Sequence, residues 1–139
     1  MDDTPRAEVF KPYLMYIIGQ IGDILLKPYM EQYKKDEHIY VMFVYGEPDV
    51  RIHFDKQINT LKRDEDEVIN TLCENYIDQL VKICPPNVTI IIRYLLPQRE
   101  NSMYGEYVPQ GTLIDRIRYT DKVNKKLKTL CHGKNLLFF

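Results

Sequence analysis

Apolar residues along the chain gather into unbroken runs and helical stripes. Residues 39–45 (Ile-Tyr-Val-Met-Phe-Val-Tyr) form one run ended by Gly46, and residues 88–96 (Val-Thr-Ile-Ile-Ile-Arg-Tyr-Leu-Leu) form another ended by Pro97. Short runs rich in β-branched and aromatic residues, without polar alternation, predict strands covered on both faces, as in a parallel sheet. A shorter run, Leu136-Leu137-Phe138-Phe139, predicts a third strand.

Between the first two runs, Val68, Ile69, Leu72, Cys73, Tyr76, Ile77, Leu80 and Val81 recur at the spacing of one helix face. Asp64 with Glu67 three residues on is a capping-box start, its acidic first turn suits the helix dipole, and Pro85-Pro86 is a stop. A second helix is expected from Thr112, with Asp115 at its third position, to about Cys131, with Gly133 as its end. Upstream, Ile17, Ile18, Ile21, Leu25 and Tyr29 predict another amphipathic helix, interrupted or restarted at Pro28, and a short helix is expected near residues 54–61. The order α–β–α–β–α–β predicts a single α/β domain over residues 1–139, a parallel sheet with right-handed crossovers. In open sheets of this kind ligands sit at the carboxyl ends of the strands, where the loops gather.

The composition narrows the function classes. With 139 residues, 45% of them hydrophobic and 28% charged, the chain suits one globular domain. A formal net charge of −1 argues against a nucleic-acid partner. The acidic, polar N-terminus is no secretory signal and no apolar run is long enough to span a bilayer, so a cytoplasmic protein without membrane contact is expected. Cys73, Cys84 and Cys131 are odd in number and lie in helical patterns, which fits buried free thiols. His38, His53 and His132 are scattered without partners at ligand spacing, so no metal is expected, and no glycine-rich phosphate loop is present, so no cofactor is expected either. Ser102 is the single serine, in Glu100-Asn101-Ser102-Met103-Tyr104, without the glycines of a nucleophile elbow.

The strand-end loops carry the candidate chemistry. Gly46-Glu47-Pro48-Asp49-Val50-Arg51-Ile52-His53 places two carboxylates, a guanidinium and an imidazole at the expected ligand edge. Arg93, inside the second apolar run, needs a partner, and Asp49 or Glu47 is the expected one, in a structural ion pair. On the last helix, Arg116, Thr120 and Asn124 share the stripe of Leu113, Ile117, Val123, Leu127 and Cys131. Buried polar groups need partners, so these three are expected to tie the helix to the loops at the sheet edge.

The loop from Gly46 to His53 resembles the Gly-Glu-Ile-Asp-x-Arg-x-His segment of one branch of SGNH (GDSL-like) hydrolase domains. The similarity continues through Glu67-Val68-Ile69, Asn75-Tyr76-Ile77, the strand ending in Leu96-Pro97, Gly111-Thr112, residues 116–120 and residues 124–128, and so covers most of residues 13–139. The resemblance implies a three-layer α/β/α, flavodoxin-like fold. Active members cleave or transfer acyl esters, often acetyl groups on carbohydrates, with a Ser–His pair helped by Asp and an oxyanion held by backbone N–H groups and an Asn side chain. This branch occurs beside glycan-building functions in bacteria and large DNA viruses.

Gly19 or Gly22 stands where the family's second-block glycine is expected. The family's Gly-Asp-Ser and Asp-x-x-His blocks are absent, as is the first strand, and Pro48 occupies the Asn position without a donor to offer. The expectation is therefore a truncated SGNH-like domain related to carbohydrate O-acyl esterases and acyltransferases, with no catalytic residue assigned. Gly46, Glu47, Asp49, Arg51 and His53 are the expected substrate-binding residues, supported by Arg93, Arg116 and Asn124. The expected partner is a glycan or acylated carbohydrate, and the apolar C-terminal strand calls for a second copy or another protein to cover it. The alternative is a non-catalytic structural or interaction protein that kept the fold and lost the triad.

Overall fold

A strand at Ala7–Phe10 (β1) opens the architecture, followed by helices at Met15–Leu25 (α1) and Lys27–Glu31 (α2) and a strand at Ile39–Phe43 (β2). Next come two π-helical turns, Asp49–His53 and Lys56–Thr60, then helix α3 (Glu65–Ile83), strand β3 (Val88–Ile92), helix α4 (Leu113–Gly133) and strand β4 (Leu137–Phe138). The computed structural model describes residues 7–10, by backbone alone, and 14–35, 38–99 and 108–139. Strand β1 corrects the expectation that the first strand is missing. Its four residues, Ala-Glu-Val-Phe, carry no periodic signal, and pairing with β2 defines it.

The sheet is parallel throughout, in the order β1-β2-β3-β4. The chain is thus a mixed α/β fold. Both long helices begin where local chemistry dictates. Asp64 accepts the Glu67 N–H (3.0 Å) at the head of α3, and Thr112 Oγ1 accepts the Asp115 N–H (3.1 Å) at the head of α4.

Strands in unbroken sequence order, joined by right-handed crossovers, place successive helices on one face of the sheet. The contacts agree, since α3 packs against both α1 and α4. In register, Ile39, Val41 and Phe43 sit beside Val88, Ile90 and Ile92, and all six are buried under the helices. The alternate positions face outward: Tyr40 is 42% exposed and Leu137 38%, with Met42, Thr89 and Ile91 half-buried. The strands are therefore not covered on both faces among the described residues, as their unbroken apolar runs predict.

On α4 the buried stripe is Arg116, Tyr119, Thr120, Val123, Leu127 and Cys131, whereas Ile117 is half exposed. Tyr119 takes the inner place because the ring of Phe54, in the π-helical segment, packs edge-on against it at 5.6 Å. The three cysteines are free, with Cys73 and Cys131 buried.

Candidate functional site

β2 leads into Gly46, where the backbone turns with φ of +111°. A Cβ there would lie 2.6 Å from Met15 Sδ and 2.9 Å from Leu95 Cδ1, so glycine is required both by the angle and by the space. The chain then winds into the wider π geometry, in which Phe54 N–H reaches back to the carbonyl of Asp49. Such turns are rare and concentrate at functional sites.

Asp49 is fully buried. Its Oδ2 accepts the Met15 N–H at 2.7 Å and its Oδ1 accepts the Tyr16 N–H at 3.1 Å. The loop carboxylate thus satisfies two donors at the head of α1, a helix whose own flanking residue, Leu14, has no side chain to do so. Burial pushes the Asp49 carboxyl up to about 7, against the lowering effect of three backbone N–H groups, those of Met15, Tyr16 and Asp49 itself, and with a further push from Glu47.

The remaining loop residues build a scaffold. Arg51 is buried and pairs with Glu47 (Nε to Oε1, 3.2 Å), which also accepts from Gln98 Nε2 at 3.2 Å. The Arg51 carbonyl accepts the Gln110 N–H (2.8 Å), and Arg116 Nη1 donates to the carbonyls of Gln110 (3.1 Å) and Gly111 (2.9 Å). Asn124 closes a two-way pair with Leu95, its Oδ1 accepting at 2.7 Å and its Nδ2 donating at 3.0 Å. Arg116 and Asn124 tie α4 to the loops at the sheet edge, while Thr120 bonds the Arg116 carbonyl within its own helix.

Arg93 departs from its expected ion pair. It lies at an outward, half-buried position of its strand line, its guanidinium 4.7 Å over the Tyr94 ring. Glu47 turns to Arg51 and Asp49 to α1, so neither carboxylate is the partner.

One cavity of about 390 Å³ opens between α1, the π-helical segment and the N-terminal half of α3. Of the expected binding residues, His53 lines it; Gly46, Glu47, Asp49 and Arg51 do not. Its other walls include Tyr16, Gln20, Gln57, Thr71 and Asn75, with Arg63, Asp64 and Glu67 at the head of α3. The Tyr16 and His53 rings meet at 4.9 Å, tilted by 35°. Burial, with Lys56 and Arg63 nearby, holds the imidazole below its ordinary value, so near neutral pH it is an uncharged donor and acceptor.

Of the polar wall residues outside the loop, Asp64 and Glu67 are legible only as the capping box of α3, and Tyr16, Gln20, Gln57 and Thr71 carry no motif. The readable trace is indirect: Tyr16 and Asn75 flank Gly19 and Tyr76, where α1 and α3 approach so closely that a Cβ on Gly19 would lie 3.0 Å from Asn75 Cβ. Ser102 lies outside the described residues. Among the described residues, no thiol lines the cavity, and no group of three metal-ligating side chains converges anywhere. Burial pushes the Cys84 thiol up to about 12 and Cys131 to about 11, far from nucleophilic range. No helix is long and apolar enough to cross a membrane among the described residues. Comparison with family models, with curated proteins and with solved structures gives no match.

Proposed function

We propose that this chain is an SGNH-like domain related to carbohydrate O-acyl esterases and acyltransferases, and that its cavity binds a sugar or acylated sugar without carrying a complete catalytic apparatus. The observation behind this reading is the composition of the cavity wall. A tilted Tyr16–His53 pair forms one side, and the side-chain amides of Gln20, Gln57 and Asn75 form others. Aromatic rings match the C–H faces of a sugar ring, and amides offer donors and acceptors to its hydroxyls. A mostly apolar pocket with a few placed polar groups is the usual form of a small-molecule site. In a three-layer, flavodoxin-like arrangement, the outward face of the sheet around Tyr40 and Leu137 is where a second helix layer belongs.

The test pairs binding with chemistry. Saturation-transfer NMR with an O-acetylated methyl glucoside and its unacetylated parent reads the cavity. A fluorophosphonate probe and 4-nitrophenyl acetate read acyl transfer. Sugar binding with no probe labelling is the expected outcome. Labelling at a serine on folded protein would restore a full esterase, and silence in both assays would sink the sugar reading.

A second reading has its own observation. Tyr40, Leu137 and Phe139, at 42, 38 and 59% exposure, lie on the outward side of the sheet, and exposed apolar surface of this kind favours an interaction protein. Silence of both assays together with a concentration-dependent oligomeric state would support it.

A further inference from the structure

Both sides of the Tyr16–His53 pair are fastened to one residue, Asp49: Tyr16 through its carboxylate and the His53 turn through its backbone carbonyl. Tyr16 is held through its own N–H on Asp49 Oδ1. His53 closes the π-helical turn that Asp49 begins, and the next residue, Phe54, bonds the Asp49 carbonyl. Met15, whose N–H meets Oδ2, lines the same cavity. We infer that Asp49 is the control point of the cavity mouth: ionised, it clamps the head of α1 to the loop that carries His53, and protonated, it releases the Tyr16 amide and loosens the Tyr16–His53 pair.

The chemistry follows from the acceptor count. An ionised carboxylate accepts on both oxygens, whereas a neutral carboxyl keeps one good acceptor and gains a proton that itself needs a partner. The shorter Met15 contact is the one to survive, and the longer Tyr16 contact is the one to go. A carboxyl pushed up to about 7 changes state across the neutral range.

The groups packed around Asp49 do not supply this step. From α3, Cys73 and Tyr76 face it, and burial raises both, leaving them neutral. From the loop, Glu47 and Arg51 form their own pair, and on α4, which packs against the Asp49–His53 turn, Arg116 is bound to the carbonyls of Gln110 and Gly111. His53, at the other end of the same turn, titrates below its ordinary value and is the group that must be separated from Asp49.

The consequence for binding rests on the sugar reading above; the structural step does not, and it is measured without ligand. On the full chain, the carboxyl ¹³C signal of Asp49 and the amide signals of Met15 and Tyr16 are followed from acid to alkaline pH. The Asp49 carboxyl and the Tyr16 amide should titrate together near neutrality. Hydrogen-exchange protection at Tyr16 should be about tenfold greater on the alkaline side, the effect of losing one charge-assisted bond. His53→Asn should keep that step and Asp49→Asn should abolish it. Should Asp49→Asn not fold, the carboxyl signal of the unaltered chain still decides. A Tyr16 amide indifferent to pH, or one whose step disappears in His53→Asn, overturns the inference. Absence of sugar binding with the step intact removes the sugar reading alone.

Discussion

The imidazole of His53 lies 4.9 Å from the phenol ring of Tyr16, the two rings together forming one side of a cavity also lined by Gln20, Gln57 and Asn75. Because Tyr16 is 45% exposed, its ring contributes little to the core. Tyr16→Ala should leave the urea midpoint nearly unchanged and weaken binding of the O-acetylated methyl glucoside by about three- to tenfold, the scale of one aromatic contact. His53→Ala should act in the same direction. NMR titration of each variant checks this, and full affinity in both would remove the pair from the binding surface.

Gly46 carries the bend that aims the loop at α1. Alanine at this position meets the Met15 sulfur and the Leu95 side chain and must also adopt a φ of +111°. Gly46→Ala should cost about 2–6 kcal/mol from backbone strain and overpacking together. Urea unfolding provides the number. The Tyr16 and Met15 amide signals should shift in the same variant, because both report on the seat of α1.

What could be read in the sequence divides by distance along the chain. The caps at Asp64 and Thr112 are i to i+3 relations, so the residues that make them stand next to their targets. The destination of Asp49 is an amide 34 residues away, which no local pattern encodes. The sequence thus marks Asp49 as chemically notable and places it in the loop at the end of β2, yet its partner comes only from the packing of α1. Tyr40 and Met42 mislead for a related reason: an apolar run predicts burial on both sides, and strand order decides whether a second layer exists. Tyr119 displaces Ile117 from the inner face of α4 because Phe54 waits opposite it.

Asn124 fastens α4 to the segment after β3 through both atoms of its amide. Asn124→Ala removes an acceptor for Leu95 N–H and a donor to Leu95 carbonyl in a half-buried setting. A loss of about 1–3 kcal/mol is expected, since the backbone groups left behind lose their partner. Thermal unfolding reads the loss, and amide exchange at Leu95 should rise with it. Stability equal to the unaltered chain would show that water replaces the side chain at no cost.

Two carboxyls give opposite slopes to stability against pH. Glu65 accepts from Arg118 and from Lys122, bridging the head of α3 to α4, and these bonds hold its carboxyl down at about 2, against an ordinary value of 4.5. A depressed folded value adds stability above the ordinary value and loses it as pH falls toward 2. Both cations are substantially exposed, so the net worth of the network is about 1 kcal/mol after screening. Asp49 works the other way. Its folded value, raised from 3.8 to about 7, means the folded chain keeps a proton that the unfolded chain has lost, so stability falls as pH rises between those values. The slope is at most about 1.4 kcal/mol per pH unit. The same ionisation that tightens the α1 clamp therefore costs global stability, because it leaves a charge in the interior. Urea midpoints measured from pH 3 to pH 8 should pass through a maximum on the acid side of neutrality. Glu65→Gln should flatten the acid limb and Asp49→Asn the limb approaching neutrality. A maximum at neutral pH in the unaltered chain would show that Asp49 keeps its charge in the folded state.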